Sequence, residues 1–135
     1  MRTELNITIL YVEDNKLLRD EIEKFLNRFA KKLYIAKDGK EGLETFIKYQ
    51  PDIIISDIKM PNMNGLEMVQ AIKAINQEQH IIYTTAHSES SYFLDAINMQ
   101  VSGFILKPID YNQLRDKIIE IAKNINMENN CYLNN

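Results

Sequence analysis

Three observations predict an α/β fold, a doubly wound parallel sheet of five strands flanked by five helices. Short β-branched runs alternate with amphipathic helical stretches five times along the chain. The strand candidates are apolar on both faces, as strands covered from both sides are. The connections are short, which leaves right-handed crossovers between parallel neighbours.

The first strand is Ile7-Thr8-Ile9-Leu10-Tyr11-Val12. Leu18, Ile22, Phe25, Leu26 and Phe29 follow at helical spacing, with Asp14 or Asn15 as cap. Leu33-Tyr34-Ile35-Ala36 is a weaker strand between Lys31, Lys32 and Lys37, as an edge strand is. Leu43, Phe46 and Ile47 make a second helical stripe, closed by Pro51. Ile53-Ile54-Ile55 is the third strand. Leu66, Val69, Ile72 and Ile75 make the third helix, opened by Gly65. Ile81-Ile82-Tyr83 is the fourth strand. Tyr92, Phe93, Ala96 and Ile97 mark a fourth helix, with Ser88 as cap. Phe104-Ile105-Leu106 is the fifth strand. Leu114, Ile118, Ile121 and Ile125 mark the fifth helix, where Asp110 and Gln113 have capping-box spacing. From Asn124 onward six of twelve residues are Asn, so residues 1–125 read as one domain and 126–135 as a flexible tail or the start of a linker.

A chain of 135 residues is long enough to bury a core without disulfides or structural metal. Cys131 is the only cysteine, which excludes an intrachain disulfide and a cysteine-rich zinc site. The net charge of −3 argues against a nucleic-acid-binding face. Apolar runs reach four to five residues, far short of the roughly 20 of a membrane span, and no secretory signal opens the chain. The expectation is a soluble cytoplasmic domain.

Ligands of open parallel sheets sit beyond the carboxyl ends of the strands. There the first strand ends in Glu13-Asp14, the third in Asp57, the fourth in Thr84-Thr85-Ala86 and the fifth in Lys107-Pro108. Two carboxylates about 5 Å apart repel by roughly 3 kcal/mol at an effective dielectric near 20. A divalent cation and a lysine relieve this. The ligands are all oxygen, so a hard ion is expected, and Mg²⁺ suits one or two carboxylates with room for phosphate and water. The suggested chemistry is phosphoryl transfer to a carboxylate nucleophile. Taken singly, each residue has a plainer reading: Asp14 as a helix cap, Asp52 as a turn residue, Lys107 as a solvated lysine, Thr84 and Thr85 as ordinary strand residues. Their shared place at one rim favours the functional reading.

Ile9 to Asn15, Pro51 to Pro61 with Gly65, Thr85-Ala86-His87 and Lys107-Pro108 together resemble the response-regulator receiver domain of two-component signalling. The resemblance covers about residues 5–125, with four separated motifs in order. It implies the flavodoxin-like strand order 2-1-3-4-5. It implies that a sensor histidine kinase, or a phosphotransfer protein in a phosphorelay, phosphorylates Asp57. Asp14, Asp57 and the main-chain carbonyl of Lys59 would bind Mg²⁺, and Glu13 would act largely through a bound water. Lys107 would pair with the phosphoryl group, Thr85 would hydrogen-bond to it, and small Ala86 would leave it access. Pro61 and Gly65 would shape the loop after the acceptor, and the Lys107–Pro108 bond would be cis.

The resemblance also implies a switch. Thr85 moves toward the phosphoryl group, and Phe104 turns into the space behind it. The face of the fourth helix, fifth strand and fifth helix then changes for a downstream protein or an attached output domain, with a homodimer as one outcome. The family often has Tyr where this chain has Phe104, so a partner contact from that hydroxyl is absent. Lys59 and His87 occupy positions that tune phosphoryl lifetime by crowding the approach of water. The domain is not a conventional enzyme, since it catalyses only its own phosphorylation and dephosphorylation.

Other classes fit less well. A flavin binder needs a Ser/Thr/Gly-rich phosphate loop after the first strand, where Glu13-Asp14 would repel phosphate. A small-molecule phosphatase needs a substrate pocket and usually a cap insertion, and the loops here are short. A module that only binds partners is expected to lack one of the five site residues, and none is missing. No second-domain pattern follows residue 125, so the chain reads as a stand-alone receiver or as the amino-terminal piece of a longer protein.

Overall fold

The computed structural model describes residues 5–86 and 100–133, with side chains to residue 127. The sheet is parallel, in the order β2-β1-β3-β4-β5. Its strands are β1 (Leu5–Val12), β2 (Ala30–Ala36), β3 (Ile53–Asp57), β4 (His80–Thr85) and β5 (Gly103–Leu106). The described helices are α1 (Lys16–Leu26), α2 (Gly39–Tyr49), α3 (Gly65–Ile75) and α4 (Tyr111–Leu133), the last being the fifth helix of the sequence expectation. The helix expected around Tyr92, Phe93, Ala96 and Ile97, its cap Ser88, and His87 lie outside the described residues.

Alternation along each strand builds two cores. Ile7, Ile9 and Tyr11 of β1 pack with Ile53, Ile55, Ile82 and Ile105 against Ile22 and Leu26 of α1 and Leu114 and Ile118 of α4. Leu10 and Val12 pack with Ile54, Ile81 and Tyr83 against Phe46 of α2 and Met68, Val69 and Ile72 of α3. Each fully buried Ile or Leu contributes about 1.5–3 kcal/mol relative to an exposed one. Burial on both faces leaves the carboxyl rim as the place where this sheet presents polar side chains. β2 is the edge strand that its lysines predict, with Lys31 and Lys32 exposed.

The helix starts follow from side-chain caps. Asn15 Oδ1 accepts from Leu18 N at 3.0 Å, so Asn15 and not Asp14 caps α1. Asp38 accepts from Glu41 N at 2.8 Å to start α2. Asn64 and Glu67 form a reciprocal capping box on α3. Asp110 accepts from Asn112 N at 2.9 Å and Gln113 N at 3.1 Å before α4. At the opposite end of the sheet Asp52 is more than a turn residue. Its carboxylate accepts from Thr8 N at 2.8 Å and from the Thr8 hydroxyl at 3.2 Å, tying the start of β3 to β1.

The structure differs from the sequence expectation at the carboxyl end. The backbone stays helical to Leu133, well past residue 125, where a flexible tail or the start of a linker was expected. Asn is a poor helix former but costs only about 0.7 kcal/mol per residue relative to Ala, and no Gly or Pro falls in 111–133 to break the ladder.

Asp38 joins two loops, because its second carboxylate oxygen accepts from Asn62 Nδ2 at 2.9 Å. The hydrogen bonds from Glu41 N and Asn62 hold its carboxyl below the ordinary value. Asp38→Ala is expected to lose about 1 kcal/mol, a fall of about 4 °C in Tm. Because the folded-state pKa is depressed, the advantage of the carboxylate over Asp38→Asn is complete above the unfolded value of about 3.9. It shrinks as pH falls through the folded value. Melting curves of the three proteins between neutral and acid pH check this.

Candidate functional site

The carboxyl ends of four strands bring the polar residues of the rim together. Glu13, Asp14 and Asp57 each offer a carboxylate oxygen, all within 4.8 Å of one another. Glu13 is fully buried, Asp57 nearly so, and Asp14 is exposed. Lys107 Nζ lies 2.9 Å from Asp57 Oδ2 and 3.1 Å from Glu13 Oε1. Burial alone would lower the Lys107 pKa, but the hydrogen bonds and charges of Asp57 and Glu13 outweigh it and hold the ammonium above its ordinary value. Glu13 moves the other way: desolvation raises its carboxyl pKa despite the hydrogen bond from Asn15 N and the charge of Lys107.

Local backbone contacts hold this cluster. Asp57 Oδ1 accepts from Ile58 N at 2.7 Å. The Ser56 hydroxyl donates to the Asp57 carbonyl at 2.7 Å. Asn15 N donates to Glu13 Oε2 at 3.0 Å, so one residue caps α1 and orients the buried acid before it. Arg19 Nη1 donates to the Glu13 carbonyl at 2.8 Å and to the Asp14 carbonyl at 3.3 Å, clamping the β1–α1 loop from the first turns of α1. The Lys107–Pro108 peptide bond is cis, and Lys107 N donates to the Thr85 carbonyl at 2.8 Å.

The loop after Asp57 folds back on the strand that precedes it. Gly65 N donates to the Ile58 carbonyl at 2.6 Å. A Cβ at Gly65 would stand 2.2 Å from the Asp57 carbonyl oxygen and 2.9 Å from Ile58 Cα, so only glycine permits this approach. Asn62 takes a left-handed conformation with φ 69, which Asn tolerates better than most residues. Pro61 and Lys59 are exposed on the same loop.

The two switch candidates occupy one sheet face but do not face each other directly. Thr85 stands opposite Leu106, and Phe104 stands opposite Tyr83. The Tyr83 and Phe104 rings are tilted, with centroids 6.1 Å apart. Tyr83 is fully buried, and its hydroxyl donates to the Gly65 carbonyl at 3.3 Å. Thr85 is fully buried, its hydroxyl lies 3.4 Å from the Ala86 carbonyl, and Ala86 is half-buried.

Glu13, Asp14, Asp57, Thr85, Ala86 and Lys107 thus meet at one rim, Phe104 lies one pleat below, and His87 is outside the described residues. Arg19, Ser56 and Tyr83 escaped the reading of the sequence. Only Arg19 carried a signal, a cation one turn after a capping Asn. An all-oxygen carboxylate triad with a lysine on it can accept a hard cation and neutralise a phosphoryl group.

The response regulator receiver domain model matches residues 9–119. Among solved structures, the N-terminal domain of an uncharacterized protein from Wolinella succinogenes aligns with a TM-score of 0.85 at 34% identity, over 91% of this chain and 98% of that one. Sporulation initiation phosphotransferase F of Bacillus subtilis is 26% identical over 114 residues, which is 84% of this chain and 92% of that protein. The transcriptional regulatory protein DegU of Brevibacillus brevis is 27% identical over 122 residues, or 89% of this chain. The chain spans 52% of that regulator and 45% of an uncharacterized response regulatory protein of Staphylococcus epidermidis. Among the described residues no helix is long and apolar enough to cross a membrane. With the fold, the rim chemistry and a family match over most of its length in agreement, the chain belongs to the response regulator receiver domains, the phosphorylation-based switches of two-component signalling, which are not classical enzymes.

Proposed function

We propose that this chain is a Mg²⁺-dependent phosphoacceptor in the cytoplasm, with Asp57 as the residue that takes the phosphoryl group from a sensor histidine kinase or phosphotransfer protein. The observation that carries this reading is the Lys107 ammonium held between Asp57 and Glu13, with Asp14 beside them. In the transfer an Asp57 carboxylate oxygen attacks phosphorus, the bond from phosphorus to the donor's imidazole nitrogen breaks, and that nitrogen keeps the electron pair. Lys107 then turns to the phosphoryl oxygens, Thr85 donates its hydroxyl to one of them, and Ala86 leaves the approach open.

The donor set fits Mg²⁺: every side-chain ligand is oxygen, and the exposed Asp14 leaves an open flank for water and phosphate. Asp14, Asp57 and the Lys59 carbonyl would hold the ion, with Glu13 acting through water. When bound, the ion neutralises charge on the transferring phosphoryl group. The proposed output is a changed surface at β5, α4 and the helix expected before β5, as Thr85 shifts and Phe104 turns inward. Its readers are a downstream protein, an output domain attached beyond residues 126–135, or a second copy of the chain. The matched region is 52% of DegU and 92% of phosphotransferase F, so both a linked and a free output have a relative of suitable length. The lifetime of the phosphoryl group is proposed to depend on Lys59 and His87.

Three outcomes test this reading. Incubation with a small phosphodonor and Mg²⁺ should place acid-labile phosphate on wild type and none on Asp57→Asn; normal uptake by the variant would show a different acceptor. Mg²⁺ titration followed by melting temperature should stabilise wild type and act much more weakly on Asp14→Ala, which keeps its fold because Asp14 is exposed. An unchanged titration counts against the metal site. Decay of the phosphorylated protein should quicken in Lys59→Asn and His87→Glu, and equal decay in all variants removes the lifetime role of these side chains.

A further inference from the structure

Two buried side-chain oxygens among the described residues have no hydrogen-bond partner, the hydroxyls of Tyr11 and Thr84. Leaving a buried hydroxyl unpaired costs stability, whereas a valine of the same shape would carry no such cost. Both residues stand on the sheet face packed by α1 and α4. Tyr11 belongs to that core, and Thr84 follows Ile82 of that core by two residues.

The position of Thr84 is the more informative. It is the register partner of Asp57 across β3 and β4. On the same face Glu13 follows Tyr11 by two residues, Asp57 follows Ile55, and Lys107 follows Ile105. Thr84 stands between Asp57 of β3 and Ile105 of β5, and Lys107 lies two residues further along β5 on the same face. β5 and β3 are not neighbours; β4 lies between them, so the two are about 10 Å apart at ordinary strand spacing. Lys107 nevertheless reaches Asp57 at 2.9 Å and Glu13 at 3.1 Å. Its side chain must therefore cross β4 on this face, running back from its own level to that of Asp57 and of Thr84, which is fully buried.

The unused valences match. An ammonium has three donors, and Asp57 and Glu13 take two. The Thr84 hydroxyl beneath has its lone pairs unspent. We infer that Thr84 is a positioning residue for Lys107, its hydroxyl accepting the ammonium's third hydrogen as phosphoryl transfer draws Lys107 off the Asp57 carboxylate. The inference rests on the phosphoacceptor reading for its consequence but not for its geometry. It adds to the rim a residue whose compact β-branched side chain floors the lysine and whose oxygen steadies it.

The test compares wild type, Thr84→Val and Thr84→Ser in three measurements: melting temperature, the rate of acid-labile phosphate uptake from a small phosphodonor, and the side-chain ammonium ¹⁵N signal of Lys107 before and after phosphodonor addition. Thr84→Val should melt at or above wild type, since an unpaired buried hydroxyl is gone. Its phosphate uptake should fall to about a fifth, the rate equivalent of one hydrogen bond, and its Lys107 signal should move. Thr84→Ser should restore uptake and signal. Wild-type uptake with an unmoved Lys107 signal in Thr84→Val overturns the inference. So does a loss of uptake that tracks a loss of melting temperature and is not rescued by serine. If wild type itself takes up no phosphate, the phosphoacceptor reading fails, and the Lys107 signal alone decides: a shift in Thr84→Val upholds the contact, and an unmoved signal overturns it.

Discussion

The ammonium of Lys107, shared between a buried Glu13 and a nearly buried Asp57, is the contact on which the arrangement of the rim depends. Two carboxylates this close and this desolvated repel strongly, and removing one partner from a buried ion group typically costs about 3–5 kcal/mol. The lysine therefore has to arrive from β5, cross β4 and end between β3 and β1. That path is open because the strands hold their register, with Asp57 against Thr84 and Thr85 against Leu106. The lysine's charge also opposes the desolvation that raises the Glu13 carboxyl pKa.

The second constraint is backbone proximity. Gly65 lies so close to the Asp57 carbonyl that no side chain fits, and the Asp38–Asn62 and Gly39–Met63 hydrogen bonds anchor the same loop to the start of α2. The loop that follows Asp57 is thus held at both ends by elements from different parts of the chain. Tyr83 extends the connection, because its buried hydroxyl touches Gly65 while its ring lies beside Phe104. A chain of contacts thus runs from the Asp57 carbonyl through Gly65 and Tyr83 to Phe104 of β5, with Tyr83 as a member that pattern reading does not single out.

The fold was legible because its signals are local. β-branched runs such as Ile53-Ile54-Ile55 lie buried on both faces, and the stripe of Leu114, Ile118 and Ile121 turned out to be the buried side of α4. Asn15 and Asp110 cap the helices that their positions suggested. The end of α4 was not legible, since helix propensity in an Asn-rich stretch is a difference of tenths of a kcal/mol per residue. Asp52 was misjudged for a related reason: its partner, Thr8, is far away in sequence.

By itself the sequence determined the layering, the strand order implied by its family and the set of polar residues at the strand ends, because periodicity, caps and motif spacing act over a few residues. Only the tertiary structure decided which of those groups touch. That Glu13 is sealed from solvent while the adjacent Asp14 is exposed follows from strand alternation combined with α1 and α4 on one face. That Thr84 stands level with Asp57, and Phe104 opposite Tyr83, follows from inter-strand register. Register is set by the summed packing of both cores and by the crossovers, and no short stretch of residues encodes it.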